Sequence, residues 1–293
     1  MRKRGATMLG AGLCPSCHSL FELDVSQFAA YFGGASAICP QCTRPFDLWG
    51  ELLGHLRLHD VFGTALRLAG ARTLMVSEPI AHDEVKEVDL TVHGMPADAE
   101  ILALELRAEG GGLAGALHGQ QALPDPVRGP KLVIFARPMI SLVRGGGSVE
   151  IIATWFVRGP NDLTMDHVVE AARHFRAGRY VNMVVPAHIA AETAIAPVVA
   201  RGLARRGPNF ERQLDDSVPD LATRSGAPDL TRQVREVLHR LRRRRNDIAH
   251  SGTCVAPSRD EAAEFLMAAT FALRYARLLG ACVDAALTAG RLP

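Results

Sequence analysis

The sequence predicts a multidomain α+β protein, and three changes of pattern along its 293 residues carry that prediction. Two Cys-x-x-Cys units lie near the start, alternating apolar residues follow from about residue 84, and a helical period begins after residue 162. We therefore expect a metal-binding module at 1–50, a connector at 51–83, a small antiparallel β-sandwich-like domain at 84–160 and an all-α bundle at 161–293.

The composition is that of an ordinary soluble globular protein, with 48% hydrophobic and 22% charged residues. The formal net charge is only +2, but arginine is concentrated in the last third, which predicts a basic local surface suited to a polyanion. The start resembles a lipoprotein signal, yet its apolar run is too short and Leu13 stands where cleavage needs a small residue. No later apolar stretch reaches about 18 uncharged residues. We expect no membrane contact and a cytoplasmic location.

Two segments near the N-terminus form an internal near-repeat, CPSCHSLFEL at 14–23 and CPQCTRPFDL at 39–48. Each predicts a tight turn with two thiols, followed by residues that can enter a strand. Facing each other, the turns supply four sulfur ligands for one tetrahedral, structural Zn²⁺, and the ligands are Cys14, Cys17, Cys39 and Cys42. Structural or redox thiols without metal are the weaker alternative.

This module resembles a zinc ribbon, a class that binds nucleic acids or proteins. A protein partner through the ribbon or the sandwich is therefore one expectation. His18 directly follows Cys17 and could replace a thiolate, but we expect it to face solvent. Metal binding should supply much of the folding free energy, because so small a module has little core.

Apolar residues alternate with polar ones in the middle of the chain, which predicts strands joined by Gly and Pro turns. The alternating or buried-type runs are Val88–Val92, Leu102–Leu106, 132–136 and Val149–Val157. Residues 49–80 are weakly patterned and predict at most one short helix.

The last third predicts four or five helices. A short amphipathic helix ends at Gly178, and an apolar helix follows in which Pro186 and Pro197 should cause kinks or divisions. Residues 207–228 are rich in Gly, Pro, Asp and Ser and predict a loop. A basic helix should run from a cap at Asp229 to His250, and a last one from the capping box of Ser258 and Glu261 to about Leu287.

Arg245 occupies an apolar position of the basic helix. On a helical wheel it continues the seam formed by Val234, Leu238, Leu241 and Ile248. A guanidinium on such a seam is costly unless an anion or a carboxylate meets it. The other arginines, Arg235, Arg240, Arg243 and Arg244, scatter over outer faces and are expected to be solvated.

Asn246 and His250 are four residues apart and project from the same side, at the edge of the seam with Arg245. This patch has the groups that a phosphodiester reaction needs: a planar cation, a polar donor and a group that titrates near neutrality. The alternative is that Arg245 pairs with a buried carboxylate, Glu192, while His250 caps the helix. Spacing alone leaves both open.

The segment RNDIAHSG, 245–252, resembles the R-x4-6-H signature of the HEPN superfamily, and the upstream HFRAGRYVNMVVPAHIAAETAI resembles its early helices. The resemblance covers roughly residues 164–290. It implies a metal-independent endoribonuclease acting as a homodimer, in the style of bacterial toxins or antiviral abortive-infection proteins. Arg245 would bind the scissile phosphate of RNA and His250 would serve as general base or acid for attack by the 2′-hydroxyl, leaving a 2′,3′-cyclic phosphate. Asn246 would orient the histidine or contact the phosphate, and Glu192 would order Arg245.

Many HEPN domains are non-catalytic, so the alternative is a dimeric adaptor that engages nucleic acid or a protein without chemistry. A DNA-binding regulator is disfavoured, because the sequence offers no helix-turn-helix signal and the basic run is too short for a zipper-type basic region.

Overall fold

The computed structural model describes residues 7–9, 12–21, 23–58, 61–80, 85–109, 127–128, 131–135, 147–157, 163–204, 209–251 and 255–292. They divide into two compact units. Residues 1–10 and 70–160 form the first, here the β unit, and residues 11–69 and 161–293 form the second, here the helical unit.

The β unit contains antiparallel sheets, as the alternation predicts. Its strands are β1 (Thr7–Leu9), β6 (Arg72–Ile80), β7 (Val85–Asp89), β8 (Ala99–Glu109), β9 (Val127–Arg128), β10 (Lys131–Phe135) and β11 (Gly147–Val157). Five of them form one sheet in the order β1-β6-β11-β8-β9, and β10 pairs with β7. The long strand β11 pairs with β6 on one side and with β8 on the other.

Alternate residues of these strands form the apolar core of the β unit. Leu74, Ile151 and Trp155 of the five-stranded sheet and Val88 of β7 belong to one buried cluster. The predicted strand at Val88–Val92 is corrected at its end, because Leu90–His93 form a 3-10 turn that the Asp89 side chain caps. Asp89 favours this turn because its carboxylate accepts a hydrogen bond from the Thr91 backbone N–H at 2.9 Å.

The segment predicted as a weakly patterned connector is mostly regular structure. It contains α2 (Leu48–Leu58), α3 (Val61–Ala69) and strand β6. Leu52, Leu66 and Leu68 are fully buried, so packing rather than a clear sequence period determines these helices.

The N-terminal part of the helical unit contains two knuckles, each closed by an antiparallel pair of two-residue strands. Strands β2 (Gly12–Leu13) and β3 (Leu20–Phe21) flank the first, and β4 (Ala37–Ile38) and β5 (Pro45–Phe46) flank the second. Helix α1 (Val25–Phe32) lies between them and begins with a capping box of Asp24 and Gln27.

The described residues of the C-terminal part form helices and turns. Its helices are α4 (Thr164–Arg176), α5 (Tyr180–Gly202), α6 (Phe210–Arg212), α7 (Val218–Ser225), α8 (Arg232–Ser251) and α9 (Arg259–Thr288), with a π turn at Gln213–Ser217. Ser258 caps α9, because its side chain accepts a hydrogen bond from the Glu261 backbone N–H at 3.1 Å. Gly178, with φ of 68°, follows the end of α4 as predicted.

Two helix predictions need correction. Helix α5 is continuous across Pro186 and Pro197 and is not divided. The predicted loop at 207–228 instead contains α6, the π turn and α7, which bury Phe210, Leu214 and Leu221. Buried apolar contacts outweigh the low helix propensity of this Pro- and Asp-rich segment.

Helix α9 holds the helical unit together, since it contacts α1 to α5, α7 and α8. The ring of its Phe271 packs edge-on against Phe28 of α1 and Trp49 of α2, with centroids 5.4 and 5.2 Å apart. Its Arg274 donates to the carbonyl oxygens of Leu68 and Arg67 at 2.6 and 2.9 Å, where α3 ends. Burial lowers the pKa of Arg274 to about 10, with a smaller contribution from the nearby Arg277.

The two units do not coincide with the predicted four-part division. The knuckles and the predicted connector up to residue 69 fall in the same unit as the helices after residue 161. The cause is visible at Phe271, where side chains of the N-terminal segment meet the core of the last helix.

Helices α5 and α9 are long and apolar enough to cross a membrane by length and composition alone. Their most apolar windows, however, are 56% and 72% buried inside the protein. Core helices of a globular protein pass the same test, so these two do not by themselves indicate a membrane span.

Candidate functional sites

The two knuckles have the same backbone geometry. In the first, the Cys14 N–H donates to Ser19 O at 3.0 Å and the His18 N–H donates to Cys14 O at 2.9 Å. In the second, Cys39 and Thr43 make the equivalent bonds at 3.0 and 2.9 Å. His18 and Thr43 both adopt the left-handed conformation, with φ of 56° and 59°. His18 is exposed and lies in the turn itself, as the sequence predicts.

The four paired cysteines converge, as their spacing predicts. Their Sγ atoms all lie within 4.8 Å of one another, with Cys14 and Cys42 3.6 Å apart and Cys17 and Cys39 3.8 Å apart. Sulfurs around a tetrahedral ion with bonds of about 2.3 Å are about 3.8 Å apart. The cluster can therefore hold one metal ion.

The pKa values of Cys39 and Cys42 are shifted in opposite directions. For Cys39, burial opposes ionisation, but hydrogen bonds from the backbone N–H groups of Cys42 and Gln41 lower its pKa to about 6. For Cys42, a backbone hydrogen bond at Arg44 lowers the pKa, but burial and the three neighbouring thiols raise it to about 11. Four thiolates this close repel one another, and a bound cation would relieve that repulsion.

A second candidate site lies on the last turns of α8. Val234, Leu238 and Leu241 on its apolar side are fully buried, while Arg245 and Ile248 are half-buried. Arg245 therefore continues the apolar seam, as the helical wheel predicts, at the point where the seam approaches solvent.

Arg245 has an uncharged partner. Its Nη1 donates to the Asn246 Oδ1 at 3.1 Å, and in the described part of the chain no carboxylate lies within ion-pair distance of its guanidinium. Asn246 is half-buried, and His250, on the same side of the helix, is exposed. The His250 side chain makes no hydrogen bond or ion pair with any described residue.

Most other arginines of α8 are paired with carboxylates and are at least partly exposed. These pairs link α8 to α6, α9 and the segment before it, or lie within the helix, and Arg243 is exposed without such a partner among the described residues. The pairs are Arg232–Glu236, Arg235–Asp229, Arg240–Glu264, Arg242–Glu211 and Arg244–Glu261. Arg245 thus differs from its neighbours Arg242 and Arg244 in keeping its charge unneutralised.

Glu192 does not contact Arg245 in the described structure. Its carboxylate instead approaches His188, one turn earlier on α5, with 3.6 Å between His188 Nδ1 and Glu192 Oε2. Burial, followed by the positive charges of Arg245 and Arg242, lowers the pKa of His188 to about 4. The imidazole is therefore neutral at pH 7, so the approach is not an ion pair, and it is too long for a hydrogen bond.

His188 is a residue that the sequence prediction missed. Its spacing of four from Glu192 was the available signal, since it places both on one face of a helix. Only the packing of α8 against α5 shows that this face lies near Arg245.

A groove of about 520 Å³ lies beside α8, away from its apolar seam. It has mixed charge, because carboxylates of α6 and α8 stand among its basic groups. The lining residues are Glu211, Glu236, His239, Arg240, Arg242 and Arg243.

Comparison of the chain with protein-family models, with curated proteins and with solved structures finds no match.

Proposed function

We propose that the protein is a metal-independent endoribonuclease of the HEPN type. The observation that carries the proposal is the state of Arg245, a half-buried guanidinium held by an amide oxygen and not by a carboxylate. A site that binds an anion needs such an unneutralised cation. The exposed His250 on the same side of α8 adds an imidazole, which can accept or donate a proton.

In this proposal Arg245 binds the scissile phosphate of RNA. His250 takes the proton of the adjacent ribose 2′-hydroxyl, or gives one to the leaving 5′-oxygen, and the product carries a 2′,3′-cyclic phosphate. Asn246 fixes the guanidinium and contacts the phosphate. Glu192 acts on Arg245 only indirectly, because its contact in the structure is with His188.

The working form is a homodimer through the helical unit. One chain presents a single Arg245 and a single His250 that do not bond to each other, and two copies facing each other would form a composite cleft. We propose further that the four cysteines hold a structural Zn²⁺ in a zinc ribbon and that the β unit is a small sandwich. In this proposal the protein is a cytoplasmic toxin or antiviral-defence effector, and either module would select its RNA target or a protein partner.

A catalytically inactive adaptor is the second candidate, and one observation favours it. Five arginines of α8 are paired with carboxylates, which reduces the attraction of this helix for a polyanion. In that case Arg245 would serve an interface between protein chains.

The test is incubation of the purified protein with total RNA in EDTA, with zinc content and folding measured in parallel. We expect cleavage that leaves cyclic phosphates and falls by about 10²-fold or more in Arg245→Ala and His250→Ala. Arg243→Ala is the matched control, since Arg243 is exposed and lies two residues from Arg245, and it should retain cleavage. Absence of cleavage by folded, dimeric protein, or cleavage that survives His250→Ala, would overturn the proposal; the first outcome supports the adaptor.

A further inference from the structure

His188 is an unexplained polar group in the core of the helical unit. Its side chain is 4% exposed, and neither ring nitrogen has a hydrogen-bond partner among the described residues. A buried polar group without a partner costs free energy, so proteins rarely retain one without a role. The ring of Phe210 packs edge-on against the imidazole at 5.2 Å and closes that side of the ring.

Among the described residues, charged groups near His188 come from three helices. Glu192 shares α5, Arg242 and Arg245 lie on α8, and Glu211 of α6 is already paired with Arg242 at 2.8 Å. The lowered pKa of His188 keeps the ring neutral, with one N–H donor and one acceptor nitrogen. The Glu192 carboxylate lies 3.6 Å from Nδ1, too far for a hydrogen bond, but its negative charge favours the tautomer that carries the N–H on Nδ1.

This tautomer leaves Nε2 as a buried acceptor without a partner among the described residues. Helix α5 packs against α8, and Phe210, which contacts the imidazole, is followed by Glu211, the ion-pair partner of Arg242. Arg245 lies about one turn after Arg242 on α8. Arg242 already donates to a carboxylate, whereas the one described partner of Arg245 is the Asn246 amide oxygen at 3.1 Å. Arg245 therefore has N–H groups to spare and a neutral acceptor nearby.

We propose that His188 is a positioning residue of the Arg245 site, whose Nε2 accepts a guanidinium N–H of Arg245 when a phosphate group binds. Asn246 and His188 would then hold the guanidinium from two sides, and both are uncharged. Arg245 therefore keeps its full positive charge for the phosphate, whereas a carboxylate partner would neutralise that charge. The negative charge of Glu192 favours this tautomer of His188. This inference rests on the proposed function, because it assigns Arg245 the phosphate of an RNA chain.

The experiment uses the full-length protein and a 2′-O-methyl RNA oligonucleotide, which lacks the attacking hydroxyl and reports binding alone. We expect His188→Leu to weaken binding about ten-fold, the size of one lost hydrogen bond to a charged group. His188→Gln, which restores an acceptor oxygen, should recover most of the affinity. His174→Leu is the matched control, because His174 also lies four residues from a glutamate, Glu170, but on α4.

Nitrogen-15 NMR of the ring gives a second readout that does not depend on RNA. We expect a neutral imidazole protonated on Nδ1 between pH 5.5 and 8 (roughly one unit or more above its lowered pKa). Protonation on Nε2, or unchanged oligonucleotide affinity in a folded His188→Leu variant, would overturn the inference. If the wild-type protein shows the expected tautomer and binding pattern but does not cleave RNA, the proposed ribonuclease is contradicted and the positioning role of His188 stands.

Discussion

At the scale of single residues, His188 makes the stability of the helical unit depend on pH. Its pKa in the folded protein, about 4, lies below its ordinary value of 6.5. The unfolded chain therefore binds a proton at this residue before the folded chain does. The stability that the neutral His188 contributes is full well above pH 6.5 and is lost as the pH falls from 6.5 through about 4.

We expect this residue to contribute a loss of about 3 kcal/mol between pH 6.5 and pH 4. His188→Gln removes the titrating group, so its free energy of unfolding should fall less steeply over the same range. Urea unfolding of both proteins at several pH values measures the difference. Protonation of the cysteine cluster affects both equally, and parallel curves for the two would contradict the prediction.

The positions of some site residues could be predicted from their spacing in the sequence. Two Cys-x-x-Cys units predict four converging sulfurs, and the 4-3-4-3 apolar spacing places Arg245 on the seam. The proximity of His188 to Arg245 could not be predicted, because it depends on how two helices about fifty residues apart cross. The same reason explains why Glu192 was expected at Arg245 and lies instead beside His188.

At the scale of elements, two glycines mark helix contacts of different tolerance. A Cβ at Gly202, the last residue of α5, would come within 2.6 Å of the Leu221 side chain of α7, which is fully buried. A Cβ at Gly280 of α9 would lie 3.1 Å from the end of the Arg201 side chain. This side chain is exposed and can move aside.

We expect Gly202→Ala to destabilise the protein by about 1–3 kcal/mol through overpacking. Gly280→Ala should change stability by less than about 1 kcal/mol, since higher helix propensity offsets the shift of Arg201. Chemical denaturation of the two variants checks the order. Equal effects would show that α7 yields as readily as the arginine does.

Element prediction succeeded where local chemistry decides and failed where packing decides. The start of α9 is fixed by Ser258, and the end of α4 by Gly178, both of which are legible in sequence. The helical turns between 210 and 225 are built from residues typical of loops, and they form because Leu214, Val218 and Leu221 are buried against the rest of the unit.

At the scale of the whole molecule, helices α1 and α2, which flank the second knuckle in the chain, share a core with the C-terminal helix α9. Trp49 is 3% exposed, and its ring packs against Phe271 of α9. Metal at the cysteine cluster should therefore stabilise more than the knuckles themselves.

The chain has two tryptophans, so Trp155→Phe leaves Trp49 as the single fluorescent reporter of this contact. We expect removal of bound metal by a chelator to shift Trp49 emission to the red, as the indole becomes exposed to water. Cys42→Ser should reproduce the shift without chelator. Metal content is measured on the same samples, and unchanged emission after complete loss of metal would contradict the coupling.

The route of the chain between the two units constrains the order in which they can fold during synthesis. The helical unit begins with residues 11–69 and resumes only at 161, after the β unit has been made. Phe271 is synthesised more than two hundred residues after Phe28 and Trp49, so the apolar faces of these two residues lack that partner while the chain is still on the ribosome. The contacts of the cysteine knuckles are local in sequence, so the knuckles are able to form early and to keep residues 11–69 compact until the later helices are made.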